Sequence, residues 1–197
     1  MEGWLNDERV RRSFYPISNV DDLGSFDLLC KLLKDDKGLL KGKFSQILDN
    51  AEINDRFMLT QKDYSFRYKG YGSFVFKDKD GKLSEMDKVK SVVVLAQNTN
   101  ISTFFQYINT LSLFKYDTTS IYLLYQVEDI KTAPLMDELQ ALHDCGMIGL
   151  ECFEETNPDS NNMPIDLLRD YLYNQEEQLF LYSGSTGFCG QLKRRNK

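Results

Sequence analysis

The sequence predicts an α/β protein in two parts, an antiparallel β region over residues 1–88 and a small doubly wound α/β domain over residues 89–197. From Val89 onward, short apolar runs alternate with amphipathic segments, which is typical of a parallel sheet covered by helices. Between Asn54 and Phe76, apolar and polar residues alternate, and turn signals separate the runs, as they do in antiparallel strands.

The central element of the chain is the segment over residues 91–111. Residues 92–96 are continuously apolar, residues 97–100 are polar, and large side chains then recur with helical spacing, so we expect a buried parallel strand, a turn and a helix. Helix N-terminal amides at such a turn can hold a phosphate. Nucleotide-binding turns usually need glycine, and this segment contains none.

Before this element the sequence predicts strands over residues 12–18, 26–33, 56–59, 64–68 and 73–76, and a short helix after Gly42. Gly42 with Ser45 in the first helical turn could present amides to a phosphate, a weak signal because many helices begin this way. Residues 78–81 resemble half of a calcium loop, but Phe76 would occupy its first ligand position, so we interpret them as a plain turn.

After the central element the sequence predicts strands over residues 121–125, 147–153 and 179–182, and helices over residues 135–142 and 165–173. Glycines follow the final strand at residues 184, 187 and 190 and could face a ligand as a phosphate loop, but we expect only a short tail after them and favour no nucleotide-binding role. The basic cluster over residues 193–197 is interpreted as a solvated terminus.

Composition excludes several classes of function. A net charge of −6 and a pI near 4.9 argue against nucleic-acid binding. No apolar run approaches the ~20 residues of a membrane span. We expect no secretory signal at the N-terminus, because it contains Glu2, Asp7 and Glu8 and lacks an apolar segment. Four scattered cysteines and the single His143 favour reduced thiols over a metal site or a hydrolytic triad.

Taken together, these elements resemble the NADH-cytochrome b5 reductase group of the ferredoxin-reductase superfamily, in which a flavin-binding β-barrel precedes a nucleotide-binding α/β domain. The likeness runs from about Arg12 to Phe188. Residues 12–18 resemble the family's Arg-x-Tyr-Thr/Ser-x-Val-Ser motif, and residues 42–45 resemble its Gly-Lys-Met-Ser motif. The resemblance implies that FAD is a candidate cofactor. The resemblance implies nine FAD-binding residues: Arg12, Phe14, Tyr15, Ser18, Gly42, Lys43, Phe44, Ser45 and Ser102.

Ordinary structural roles remain open for three of these residues. Arg12 could form a surface ion pair, Phe14 could be a core aromatic residue, and Ser45 could be a hydroxyl near a helix N-terminus. Tyr15 also departs from the family, because it replaces a small hydroxyl residue that usually bonds the isoalloxazine.

The nicotinamide side departs further from the family. Its Gly-Gly-Thr-Gly-Ile-Thr-Pro motif aligns with residues 97–103, so Gln97, Asn98, Thr99 and Asn100 replace a turn with three glycines. Its Cys-Gly-Pro-Pro motif aligns with Ser183 and Gly184 and the two residues after them, and its adenosine-contacting aspartate falls on Thr132. We therefore expect a degenerate nucleotide site that no longer binds NADH, with no catalytic residues assigned.

Only eleven residues precede Arg12, whereas several barrel strands precede this motif in the family. The 1–88 region is thus predicted to be a partial FAD-binding barrel, whose open edges call for protein partners in a large hetero-oligomeric complex. We expect a non-catalytic accessory subunit, with mitochondrial localisation preferred over the cytoplasmic face of a membrane. A divergent FAD-dependent NADH reductase that passes electrons to a haem or iron–sulfur protein, and a chain that keeps FAD without turnover, are the alternatives.

Overall fold

A computed structural model describes residues 1–19, 21–62, 64–78, 80–114, 116–155, 171 and 177–195. The strands are β1 (Glu2–Leu5), β2 (Glu8–Arg11), β3 (Phe66–Gly70), β4 (Ser73–Lys77), β5 (Leu83–Met86), β6 (Ser91–Gln97), β7 (Ser120–Val127), β8 (Gly149–Glu154) and β9 (Gln178–Ser183). The helices are α1 (Lys43–Asp49), α2 (Ser102–Leu113), α3 (Met136–Asp144) and α4 (Thr186–Arg195), with 3-10 turns at Asn98–Ile101 and Ile130–Thr132. The strands form sheets of two, three and four members, which agrees with the predicted antiparallel region followed by a parallel α/β sheet.

The chain begins with a hairpin that the sequence did not predict. β1 and β2 pair in antiparallel register through a turn in which Asn6 and Asp7 both have positive φ. Glu2 is buried, and its carboxylate accepts a hydrogen bond from Arg9 Nε at 2.6 Å and pairs with Arg11. The hydrogen bond from Arg9 holds the pKa of Glu2 below its ordinary value although burial opposes this shift.

Three predicted strands in the first part were wrong as regular strands. Residues 12–18 and 26–33 meet at one bridge between Pro16 and Leu28, and residues 56–59 meet β1 at one bridge. In residues 26–33 the physical reason is that side chains take up backbone donors that a ladder would use. The hydroxyl oxygen of Ser18 accepts the N–H of Asp27 at 3.1 Å.

The three-stranded sheet packs against α2 through aromatic side chains. β3 and β4 confirm two predicted strands, whereas β5 was missed because it is only four residues long and mostly exposed. The ring of Tyr107 on α2 lies 6.1 Å from Phe66, 5.3 Å from Tyr68 and 5.8 Å from Phe74, measured between centroids. The Asp78 turn is confirmed, since its carboxylate accepts the N–H groups two and four residues later.

The parallel sheet has the strand order β8-β7-β6-β9 and confirms the doubly wound prediction. All seven residues of β6 are buried. Alternate side chains face opposite layers, with Val92 and Val94 in the cluster that contains α2, and Val93 and Leu95 packed with Phe188 of α4. Burial on both faces explains the unbroken apolar run in the sequence.

The end of the chain differs from its prediction. Residues 186–195 form α4, so the expected short tail and most of the basic cluster belong to a helix instead. The predicted helix over 165–173 lies outside the described residues except for Tyr171. None of the helices in the described part of the chain has the length and apolar character needed to cross a bilayer.

Candidate functional site

The crevice between the carboxyl ends of β6 and β9 is the place where a doubly wound sheet offers a ligand site. The chain moves from β6 outward to β7 and β8 and then returns to β9 on the other side, so the strand order reverses here. Gln97 ends β6 and is only 5% exposed. Its Oε1 accepts the backbone N–H of Ser185, just after β9, at 2.8 Å, so this side chain bridges both walls of the crevice.

Asn98 shapes the turn that follows β6. Its φ is 48°, in the left-handed region that glycine favours and asparagine tolerates. Its Oδ1 accepts the N–H of Glu128 at 3.0 Å, which ties the turn to the end of β7. The hydroxyl of Tyr125 lies 3.1 Å from the carbonyl oxygen of Asn98 and 3.0 Å from that of Pro134, and burial raises the pKa of this phenol so that it remains a donor.

The rest of the turn also satisfies its polar groups internally. The side chain of Asn100 donates to the carbonyl oxygen of Gln97 at 3.1 Å, and the Ser102 hydroxyl donates to the carbonyl oxygen of Thr99 at 2.9 Å. The backbone N–H of Ser102 bonds within the 3-10 turn that precedes α2. A phosphate at this helix N-terminus would have to displace these bonds, so the turn is poorly prepared to hold one.

A cleft of about 270 Å³ lies beside the turn, between the first part of the chain and the end of β7. Two acidic residues line it, Glu128 and Asp129, together with Lys31, whose Nζ lies 2.6 Å from Glu128 Oε1. Thr132, at the place of the expected aspartate, donates its hydroxyl to Asp129 at 3.3 Å. With Lys31 paired to Glu128, these three charged side chains give the lining of the cleft a net negative charge.

Ser183 and Gly184 form the other wall of the crevice. The hydroxyl of Ser183 lies 3.2 Å from that of Thr103 on α2. A Cβ at Gly184 would lie 2.4 Å from the Phe188 ring, so the glycine permits this aromatic residue to pack over the backbone. The sequence motif thus has a packing role here, which is different from presenting amides to a phosphate.

The two flavin-like motifs lie together in space. The rings of Phe14 and Phe44 pack with centroids 5.4 Å apart. Gly42 has a φ of 83°, α1 has no side-chain N-cap, and a Cβ at Gly42 would meet nothing within 4 Å. An uncapped helix start with open space above it is compatible with a pyrophosphate oxygen.

The remaining residues of these motifs have mixed positions. Arg12 and Tyr15 are exposed, and Lys43 forms an ion pair with Glu8. The hydroxyl oxygen of Ser45 accepts the N–H of Leu33 at 3.2 Å, which supports the ordinary structural role that the sequence left open.

Ser18 connects the flavin-like segment to α2. Its carbonyl oxygen accepts a hydrogen bond from Gln106 Nε2 at 3.1 Å. This contact and the pair between Lys31 and Glu128 hold the first part of the chain against the parallel sheet. Cys30 lies beside this junction, and burial raises the pKa of its thiol.

Comparison with known proteins agrees with this geometry. The family model described as "Oxidoreductase FAD-binding domain" matches residues 1–68. The chain is 31% identical over 138 residues to NADH-cytochrome b5 reductase 3 of Mus musculus, which covers 68% of this chain and 46% of that protein. It is 28% identical over 142 residues to NADH-cytochrome b5 reductase 2 of Danio rerio, which covers 71% and 46%.

A solved structure extends the likeness to the whole fold. The cytochrome b5 reductase domain of Ulva prolifera nitrate reductase superposes with a TM-score of 0.79 at 22% identity, covering 100% of this chain and 78% of that one. The chain is cytochrome b5 reductase-like, with the ferredoxin-NADP reductase fold. Ferredoxin-NADP+ reductase from Plasmodium falciparum shares the fold with a TM-score of 0.65 at 14% identity, covering 98% and 72%.

This reductase-like chain spans about half the length of the curated relatives that it matches. In the described part of the chain, no group of three or more histidine, cysteine or acidic side chains could hold a metal ion. Sequence reasoning identified Gln97 as a bulky residue but missed its bond to Ser185. It also missed the pair of Lys31 and Glu128. The position of Glu128 directly after the buried strand β7 was the available signal for the carboxylate, and Lys31 had none.

Proposed function

We propose that this chain is a non-catalytic, reductase-like subunit of a larger protein complex, and that it has lost the binding of pyridine nucleotide. The observation that supports this most directly is the bond from the Ser185 N–H to Gln97 Oε1, at 2.8 Å, across the crevice. In a sheet of this topology a dinucleotide lies across the switch point. A buried side chain that joins both walls would have to leave before NADH could enter.

Charge supports the same proposal. Glu128 and Asp129 line the adjoining cleft, and the cation there, Lys31, is already paired with Glu128 at 2.6 Å. A dinucleotide would bring two negative phosphates to this acidic lining. Like charges at short distance in a partly buried cleft disfavour binding.

The surface of the first part supports the proposed partners. Most of the large apolar side chains that are exposed in the described structure lie within residues 1–64, and Trp4 (62%), Leu23 (93%) and Ile53 (94%) are examples. Exposed apolar side chains in this number leave the first part with surface that a protein partner could cover. We place the complex in mitochondria within this proposal, with the cytoplasmic face of a membrane as the alternative.

A divergent FAD-dependent NADH oxidoreductase, which would pass electrons to a haem or iron–sulfur protein, is the second candidate function. It is favoured by the uncapped start of α1 at Gly42 and by the FAD-binding family model over residues 1–68. Gly42, the first amides of α1 and Arg12 would hold the pyrophosphate of FAD. When bound, FAD supplies hydride acceptance and one-electron transfer.

An absorbance spectrum of the protein, isolated with whatever co-purifies, tests these proposals. We expect that NADH, added under anaerobic conditions, bleaches no flavin band. We also expect a stable partner protein in the same fraction. A flavin band that persists would mean that FAD is a structural ligand. A band that bleaches would overturn the non-catalytic proposal in favour of the second candidate.

If flavin is present, its site can be tested by substitution. Arg12→Ala should lower the flavin content of the purified protein, because it removes an exposed guanidinium that can pair with phosphate. Arg56→Ala is the matched control, since Arg56 is also exposed but lies outside both flavin-like motifs. Equal flavin content in the two variants would remove Arg12 from the proposed site.

A further inference from the structure

We infer that Gln97 is the residue that decides the specificity of the crevice, because its amide takes the place that a nucleotide ligand would need. This inference rests on the proposed loss of nucleotide binding and assigns that loss to one side chain. It is carried by the position, burial and hydrogen bonding of Gln97 rather than by the absence of glycine alone.

The first step is the location of the side chain. β6 and β9 are parallel neighbours, and Ala96 lies opposite Ser183 at the ends of the ladder. Gln97 is the next residue on β6, and Ser185 lies two residues beyond Ser183. The 2.8 Å bond between Gln97 and Ser185 therefore closes the crevice immediately beyond the last ladder position.

The second step is that the bond between Gln97 and Ser185 uses a backbone donor that could also bind an anion. The Ser185 N–H lies at the start of α4, where backbone amides carry partial positive charge and attract an anionic or carbonyl oxygen. Gln97 Oε1 supplies that oxygen from within the protein. A phosphate oxygen would make the same kind of contact, so the glutamine amide competes directly with a phosphate-bearing ligand for this donor.

The third step is that Gln97 cannot easily be displaced. Gln97 is only 5% exposed. Its neighbours on the same face of β6, Val93 and Leu95, are fully buried. Moving Gln97 would break the bond to the Ser185 N–H and disrupt the packing of a buried side chain at the end of β6. NADH would have to offset that cost in addition to its own desolvation.

The test measures the binding of NADH by isothermal titration calorimetry. It compares the full chain with three variants at residue 97. Gln97→Ala removes the oxygen and opens space, and Gln97→Asn shortens the reach by one methylene. Gln97→Glu is the matched control, because it keeps the length and the acceptor while adding negative charge. We expect Gln97→Ala and Gln97→Asn to bind NADH at least about tenfold more tightly than the unchanged chain, and Gln97→Glu to show no gain.

Hydrogen exchange provides a second measurement that needs neither ligand nor a folded variant. In the unchanged chain, the Ser185 amide should exchange slowly, like a bonded amide. Fast exchange of this amide would overturn the inference directly.

The outcomes separate the inference from the proposed function. If folded Gln97→Ala and Gln97→Asn bind NADH no more tightly than the unchanged chain, and that chain binds none, the inference about Gln97 is wrong while the proposed loss of binding stands. If the unchanged chain itself binds NADH at micromolar concentration, both are wrong. Tighter binding by all variants, including Gln97→Glu, would also contradict the specific role of the amide.

Discussion

Gln126 lies directly beside Gln97 in the ladder between β6 and β7, and the two buried amides differ in their hydrogen bonding. Gln97 accepts the N–H of Ser185, whereas neither Nε2 nor Oε1 of Gln126 has a hydrogen-bond partner within the described structure. Gln126 is only 1% exposed. An unpartnered buried amide is unfavourable, so the same residue type contributes differently at two adjacent positions.

Replacement of Gln126 by methionine should therefore stabilise the protein. Gln126→Met keeps a similar shape while removing an unsatisfied polar group, and we expect the free energy of unfolding to rise by about 1–2 kcal/mol in urea denaturation. Gln97→Met is the matched control, because it breaks the bond to Ser185 and should give no such gain. A lower stability for Gln126→Met would show that the amide is bonded in solution.

Gly184 is required by the packing of one aromatic ring. A Cβ there would lie 2.4 Å from Cδ1 of Phe188, a side chain that is 1% exposed in the core. Gly184→Ala should lower the free energy of unfolding by roughly 1–3 kcal/mol, because the ring has to move within a close-packed layer.

Gly190 on α4 is the control for this substitution. A Cβ at Gly190 would meet nothing within 4 Å, and the residue lies inside a helix. Gly190→Ala should raise the free energy of unfolding by up to about 1 kcal/mol, from helix propensity alone. If Gly184→Ala were tolerated as well as Gly190→Ala, the close packing of Phe188 against Gly184 would be contradicted.

The elements that could be predicted well from the sequence are those whose apolar pattern follows directly from their burial. β6 is buried on both faces, and its unbroken run of apolar residues indicates a parallel strand without further information. β2 and β5 are only four residues long and mostly exposed, so their residues carry no periodic signal. The pairing of β2 with β1 is set by turn geometry and by the ion pairs of Glu2, which depend on contacts made only after folding.

The candidate site shows the same division. The position of the turn after β6 and the loss of its glycines could be predicted from the sequence. The bond between Gln97 and Ser185 could not, because these residues lie 88 positions apart and meet only when β9 adds to the sheet beside β6. Likewise, Lys31 and Glu128 are 97 positions apart, and nothing in their local sequence indicates that they pair.

Asp117 anchors the loop before β7 to the three-stranded sheet. Its carboxylate accepts hydrogen bonds from the Tyr68 hydroxyl, from the Tyr71 N–H at 2.8 Å and from the Thr119 N–H at 3.0 Å. Asp117→Ala should lower the free energy of unfolding by about 2–3 kcal/mol, because it leaves several partly buried donors unpaired. Tyr68→Phe removes one of these bonds and should cost less, as measured by urea denaturation at neutral pH.

The hydrogen-bonded pair of Tyr68 and Asp117 should make the free energy of unfolding depend on pH in both acid and alkaline solution. Burial alone would raise the pKa of Asp117, but the hydrogen bonds from Tyr68 and Thr119 hold it below its ordinary value. The folded protein then binds fewer protons at this site than the unfolded chain, so its contribution is present above the ordinary carboxylate pKa of about 3.9 and is lost as the pH falls through the lower folded value. Asp117→Asn should not show this component of acid destabilisation.

Alkaline conditions test the other partner of the pair. Burial, assisted by the hydrogen bond to Asp117, raises the pKa of Tyr68 from 10.0 to about 12. The folded protein then retains a proton that the unfolded chain loses, so the contribution is complete below pH about 10 and is lost as the pH rises through the folded value. Comparison of urea denaturation between neutral pH and pH about 11 should show a smaller loss for Tyr68→Phe than for the unchanged chain. Equal losses would mean that the phenol of Tyr68 reaches solvent in the folded protein, which would contradict its hydrogen bond to Asp117.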